Sequence, residues 1–195
     1  LKLKVPVNNE KFIRRLITKE RVNEIIESNR LNYHFQPIVK TSDGEIFAYE
    51  ALMRPDSTPY ITPPDLLHYA ELSGRLAEVE KETFFNVLDI VEHRRDIFDG
   101  SKKVFINSIP GQVVSEEDRR ILSERIKKLN GSVVVELTEQ SELSDDELED
   151  LKNLYQNMGV NTAVDDYGTG YSNMVSIFSL NFDIIKIDKS ILWEA

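Results

Sequence analysis

The sequence predicts an α/β fold, most of a (β/α)8 TIM-like barrel that stops short at its C-terminus with six of the eight strands visible. Two observations carry this expectation. From about Val104 onward, short β-branched apolar runs alternate with amphipathic helical stretches, the pattern of a parallel sheet covered by helices. Nearly every run also ends in a polar side chain able to bind or react, as expected where strand ends converge on one face of a barrel.

Composition narrows the possibilities. A chain of 195 residues with 41% hydrophobic content fits one domain with a substantial core. With no cysteine, disulfides, zinc–thiolate sites and a cysteine nucleophile are excluded, and nothing calls for an oxidising compartment. The expected location is the cytoplasm, or the cytoplasmic part of a membrane-anchored protein. Apolar runs fall far short of the roughly 20 residues a spanning helix needs. Leu1 to Val7 lacks a signal-peptide core, and the missing initiator Met suggests a piece of something longer. A net charge of -10 argues against DNA as a partner, because phosphate backbones bind through clustered Lys and Arg. A small phosphorylated ligand is compatible with that charge if cations or a few basic groups reverse the field locally.

The elements follow in order. Residues 1–30 read as a charged lead-in helix or linker with an irregular apolar face, and residues 31–195 as the barrel. Tyr33 to Lys40 and Ile46 to Met53 are strand-like and flank the turn Thr41-Ser42-Asp43-Gly44, which predicts a hairpin. Pro63-Pro64-Asp65 opens a helix that Gly74 closes, and a long amphipathic helix runs from about Ala77 to Arg95. Then come strand Val104 to Ile109, helix Glu116 to Leu129, strand Val133 to Leu137 and helix Asp145 to Met158. Ser144 with Glu147 is a capping-box pair at the start of that last helix, and Gly159 suits its end. Strand Asn161 to Val164, a Gly-rich turn, a short helix around Ser172 to Leu180 and strand Ile184 to Ile187 complete the pattern.

The chemistry sits at the strand ends: Glu50, Asn107, Glu136, Asp165 with Asp166, and Lys186. Several carboxylates and an amide carbonyl gathered in one pocket would repel each other unless cations lay among them, and an all-oxygen set suits Mg²⁺ or Mn²⁺. Each residue also has an ordinary reading. Glu50 and Glu136 could be salt-bridged, Asn107 a strand-end cap, Asp165-Asp166 an Asx-type turn, and Lys186 a buried ion-pair partner. The acidic run Asp145 to Asp150 is read as a solvated helix face. His34, His68 and His93 share no metal-ligand spacing, and Trp193 reads as a packing residue.

Five ordered blocks now stand together: Phe35-Gln36-Pro37-Ile38 with Tyr49-Glu50-Ala51-Leu52-Met53-Arg54, Asn107-Ser108, Glu136-Leu137-Thr138-Glu139, Asp165-Asp166-Tyr167-Gly168-Thr169-Gly170-Tyr171-Ser172, and Lys186-Ile187-Asp188. Taken in this order they strongly resemble the EAL-domain family of bacterial cyclic di-GMP phosphodiesterases. The resemblance implies that Glu50, Asn107, Glu136 and Asp165 bind a first Mg²⁺ or Mn²⁺, that Asp165 and Asp166 serve a second, and that Lys186 orients or helps deprotonate the attacking water. It implies ligand contacts for Gln36, Leu52 and Arg54, the last with a planar fork suited to phosphate. Glu139 resembles the glutamate that holds the loop Asp166 to Ser172, a loop which in the family lies near a dimer interface.

The family pattern continues past the last block with a Glu-bearing strand and a Gln-Gly strand, neither of which follows Lys186-Ile187-Asp188 here. Tyr167 replaces the commoner Phe, Met53 the usual Leu, and Ser108-Ile109-Pro110 departs from the usual Leu-Ser. The resemblance implies a phosphodiesterase acting on cyclic di-GMP with two divalent metals, working as a homodimer and fused to sensory or cyclase modules. A catalytically inactive cyclic di-GMP receptor and a dimerising regulatory domain are the alternatives.

Overall fold

The computed structural model describes residues 18–138, 144–168 and 181–193. A helix, α1 (residues 18–27), leads into the antiparallel hairpin β1 (Leu31–Val39) and β2 (Ile46–Pro55). After it come α2 (Pro63–Leu72), α3 (Leu76–His93), β3 (Lys103–Asn107), α4 (Glu116–Lys127), β4 (Val133–Thr138), α5 (Asp145–Asn157), β5 (Asn161–Tyr167), β6 (Ile184–Ile187) and the short α6 (Lys189–Trp193). The strands form one six-stranded sheet in the order β1-β2-β3-β4-β5-β6, parallel from β2 onward. The predicted hairpin and helix–strand alternation are both present, and the sheet opens antiparallel because a tight turn can only reverse the chain, whereas the β2–β3, β3–β4 and β4–β5 connections each have at least one helix to carry the crossover.

Side-chain alternation along the strands separates two kinds of interior. Val104 and Ile106 of β3, with Val133, Val135 and Leu137 of β4, face the helices and join Val79, Phe84, Val87, Leu88, Leu122 and Ile126 in the main core. The opposite face is a smaller plug of Ala48, Phe105, Val134 and Ala163, with Ile38 and Ile184 packed against it. Two residues beyond the plug, on the same face of their strands, stand Glu50, Asn107, Glu136, Asp165 and Lys186. The apolar plug is thus the floor on which the polar strand ends rest.

Helix boundaries are set by local chemistry. Thr62 caps α2 by accepting from the Asp65 N–H, with Pro63 and Pro64 in the first turn where a missing N–H removes no bond. Ser115 caps α4 in the same way, and the Ser144–Glu147 capping box is formed in both directions. Two strand boundaries differ from expectation. β3 ends at Asn107 rather than Ile109, because the Ile109 N–H turns away from the sheet to a side chain of α3. β5 runs on through Tyr167 rather than ending at Val164, so Asp165 and Asp166 lie within the strand rather than in a turn after it. Glu139 and residues 169–180, the latter including the expected short helix, lie outside the described residues, as does the Trp193 side chain.

Candidate active site

Parallel register brings the strand ends level. Asn107 pairs with Glu136 across β3 and β4, and Thr138 with Asp165 across β4 and β5. On the hairpin side, Gln36 stands directly opposite Glu50 and His34 opposite Leu52. A register shift separates the pairs Val164–Ile185 and Tyr167–Ile187, so two residues of β5, Asp165 and Asp166, oppose Lys186 alone. This is a bulge, and Asp166 takes the left-handed conformation within it, at φ 55°. In a regular strand the two aspartates would point to opposite faces. With the bulge both line the same cavity.

The side chains meet around Lys186. Its Nζ lies 3.3 Å from Glu50 Oε2, 2.5 Å from Glu136 Oε1 and 3.1 Å from Asp165 Oδ1. Asn107 Nδ2 donates to Glu50 Oε1 at 3.3 Å. Five residues from five strands, spread over more than a hundred sequence positions, therefore form one contiguous cluster. Beside it a cavity of about 700 Å³ is lined by Glu50, Leu52, Met53, Arg54, Asn107 and Asp166 among others, with Pro63, Pro64 and Leu67 of α2 forming an apolar wall. Arg54 Nη1 donates to the Met53 carbonyl at 2.7 Å.

Burial and charge are in tension here. Glu136 is fully buried, and that desolvation pushes its carboxyl up to about 7 against the pull of Lys186, with Glu50 and Asp165 adding to the rise. Burial alone would lower the Lys186 ammonium, but Glu136, Asp165 and Glu50 raise it well above its ordinary value. Asp166 is also shifted up, by burial first and then by Asp165 and Asp188. Glu136 Oε2 has no hydrogen-bond partner among the described residues, so one oxygen of this buried carboxylate is left unmet.

That unmet oxygen tests whether a divalent cation suits the site. All the donors are hard oxygens, the anionic ones outnumber the single ammonium, and the deepest of them lacks a partner, which together fit Mg²⁺ or Mn²⁺. Their present spacing fits the ammonium instead. Among the described residues, no three acidic or imidazole side chains stand at a spacing that would share an ion.

Every strand-end residue singled out in the sequence is in this cluster or lines its cavity. Gln36 is the outlier: it sits opposite Glu50 in the hairpin register but is exposed. The three histidines, which share no metal-ligand spacing, are all exposed. Sequence reasoning missed Glu80, a wholly buried glutamate of α3. It accepts from Ser108 Oγ at 2.7 Å, from the Ile109 N–H at 2.9 Å and from Tyr155 Oη at 3.0 Å. The available signal was periodicity, since Glu80 falls on the stripe that also carries Phe84, Val87, Leu88 and Val91.

Gly168 follows β5 directly after the bulge. Its φ is +101°, and a Cβ there would collide with the Ile191 side chain of α6. The positive φ there strains any residue with a Cβ, and a larger side chain would also have to displace that of Ile191.

Comparison with known proteins agrees with this architecture. The sequence model of the EAL domain matches residues 19–195. A curated relative from Escherichia coli K12, named cyclic di-GMP phosphodiesterase PdeR, is 29% identical over 191 residues, 94% of this chain and 28% of its own length. The chain spans about a quarter to a third of the length of such relatives. Among solved structures, the EAL enzyme Bd1971 with cAMP and cyclic di-GMP bound superposes with a TM-score of 0.76 at 20% identity, covering 94% of this chain and 52% of that one. The EAL domain of Mycobacterium smegmatis DcpA gives 0.57 at 27% identity, covering 84% of this chain and 68% of its own. With the barrel-like sheet, its strand-end cluster and a match over nearly the whole chain in agreement, this protein belongs to the EAL domain family.

Proposed function

We propose that this EAL domain is a cyclic di-GMP phosphodiesterase that opens the cyclic dinucleotide to linear pGpG. The observation that carries the reading is the gathering of Glu50, Glu136 and Asp165 around one ammonium, with a buried Glu136 oxygen unmet among the described residues. Relatives named as cyclic di-GMP phosphodiesterases support it.

Glu50, Asn107, Glu136 and Asp165 would hold a first Mg²⁺ or Mn²⁺, and Asp165 with Asp166 a second. When bound, such a pair neutralises the phosphodiester and lowers the pKa of water toward neutrality. In the reaction a water oxygen bonds to phosphorus, the bond from phosphorus to one ribose oxygen breaks, and a proton passes to that leaving oxygen. Lys186, held charged by its three carboxylate neighbours, suits the role of orienting donor better than that of base. Arg54 and Leu52 line the cavity where the dinucleotide would lie, with the guanidinium able to exchange the Met53 carbonyl for a phosphate. Gln36 and Glu139 are proposed as a ligand contact and a support of the loop after Asp166.

Incubating the protein with cyclic di-GMP and Mg²⁺ or Mn²⁺ should give linear pGpG by chromatography, and addition of a chelator should stop it. The ammonium-centred spacing favours one competing reading, a receptor that binds the dinucleotide without cleaving it. Saturable binding with no product would establish that alternative. Homodimer formation, fusion to sensory or cyclase modules and a cytoplasmic setting belong to the same proposal. No helix among the described residues is long and apolar enough to cross a membrane.

A further inference from the structure

We propose that Glu80 is a positioning residue for Asn107, acting through the two residues that follow it. The inference rests on the reading of Asn107 as part of the active site, but its central measurement does not require turnover.

Asn107 is the last residue of β3 and is itself exposed. A side chain at a frayed strand end swings with its backbone, so its aim depends on how the next peptide units are held. Two anchors hold them. The Ser108 N–H continues the sheet by donating to the Glu136 carbonyl at 3.0 Å. The Ile109 N–H leaves the sheet and donates 2.9 Å to Glu80 Oε2, while Ser108 Oγ donates 2.7 Å to Glu80 Oε1. Asn107, aimed at Glu50, is therefore followed at once by a backbone pinned on one side by β4 and on the other by α3.

The pin is itself rigid. Glu80, Ser108 and Tyr155 are all buried, and Tyr155 of α5 bonds to both of the others, 3.0 Å from Glu80 Oε1 and 2.8 Å from Ser108 Oγ. Phe84, one turn along α3, stacks on the Tyr155 ring at 5.8 Å. A carboxylate is a costly way to fill a core position if filling were its only task, since an apolar side chain of similar volume does so without desolvating a charge. What an apolar residue lacks is an acceptor for the Ile109 N–H. Partners that orient a ligand from behind typically change metal affinity or activity by roughly 10–100-fold when removed.

The test uses the full chain and compares Glu80→Met with Glu80→Gln. Met keeps the volume and loses the acceptor. Gln keeps an oxygen for the Ile109 N–H and offers its amide group to the hydroxyl pair. The primary readout is the Asn107 side-chain amide pair in a ¹⁵N NMR spectrum, assigned by its loss in Asn107→Asp. In Glu80→Met that pair should broaden or shift, and kcat should fall roughly 10–100-fold with KM changed far less. Glu80→Gln should restore both most of the way. A Glu80→Met protein that melts earlier yet keeps the wild-type Asn107 resonances and kcat would overturn the proposal and leave Glu80 as a stitch between helices. Were Glu80→Met unable to fold, Ser108→Ala with Tyr155→Phe would decide: an unmoved Asn107 resonance in both overturns the proposal, and a shifted one in both supports it. A wild-type protein without turnover would refute the phosphodiesterase reading, whereas the resonances would still report on Glu80.

Discussion

Glu80 and Glu136 are both buried glutamates whose carboxyl groups are pushed up to about 7 by burial, yet their surroundings answer that burial in opposite ways. Glu80 receives a backbone N–H and two hydroxyls, spread over both oxygens. Among the described residues, Glu136 receives one ammonium on one oxygen and nothing on the other. A satisfied buried carboxylate holds structure together, and one left half-satisfied beside Glu50 and Asp165 has capacity for a further positive charge. The two sites are linked by Asn107 and Ser108, adjacent residues that serve one cluster each. The demanding site thus rests directly on the satisfied one.

The sharpest way to break this contrast is to neutralise Glu136. Glu136→Gln should lower turnover by more than the roughly 100-fold that outer partners reach, because it removes a deep donor of the cluster. Stability should hold or rise, since the change also removes a desolvated charge that two other carboxylates oppose. Steady-state kinetics beside thermal melts would check both halves, and retained activity would sink the assignment of Glu136.

Removing the ammonium probes the same imbalance from the other side. Lys186→Met leaves Glu136, Glu50 and Asp165 facing one another with no counter-charge. Breaking a buried pair by deleting one partner costs about 3–5 kcal/mol, and the quarter exposure of Lys186 places the expected loss near about 3 kcal/mol in cation-free buffer. Saturating Mg²⁺ should recover part of that loss if cations occupy the cluster. Urea unfolding with and without Mg²⁺ gives the comparison.

For Glu80 the contrast becomes a pH slope. Three oxygens, Glu80 Oε1, Ser108 Oγ and Tyr155 Oη, lie within 2.7–3.0 Å of one another and carry two hydroxyl protons between them, so a proton on Glu80 completes the ring. The folded carboxyl titrates near 7 and the unfolded one near its ordinary 4.5. Between those values the folded protein retains a proton that the unfolded chain has released, so stability falls as pH rises through this window and levels off above it. The loss attributable to Glu80 is about 3 kcal/mol at most. Glu80→Gln, a fixed mimic of the protonated form, should flatten this part of the profile between pH 5 and 8. Equal slopes in the two proteins would show that Glu80 does not titrate there.

The same contrast explains what could be read from the sequence. Glu50, Asn107, Glu136, Asp165 and Lys186 announced themselves because each interrupts or ends an apolar strand, and period-two alternation forces such residues onto one face. The Ser144 capping box and the hairpin turn are equally local signals and appear where expected. The bulge at Asp165 was not legible, because it depends on β6 supplying one residue where β5 supplies two. Glu80 was hidden for a related reason: Glu78, Lys81 and Glu82 around it make it look like one more solvated charge. Its partners, at positions 108, 109 and 155, are distant in sequence and meet only through tertiary packing.

Cation binding is the smallest expected effect and the one that separates the two glutamates most directly. A ligand that binds only the folded state at a hundred times its Kd stabilises by about 2.7 kcal/mol, roughly 5–10 °C in Tm for a domain of this size. Mn²⁺ added to the chelator-treated protein should raise Tm by that order, and the rise should be abolished in Glu136→Gln. In Glu80→Gln it should persist, shifted at most to higher Mn²⁺ concentration, because Glu80 has no oxygen to spare and only aims a neighbour of the site. If both variants lost the rise equally, the division of labour between the buried carboxylates would fail. If the wild type showed none at saturating Mn²⁺ or Mg²⁺, Lys186 would be the only cation the cluster accommodates, and the receptor reading would take precedence over hydrolysis.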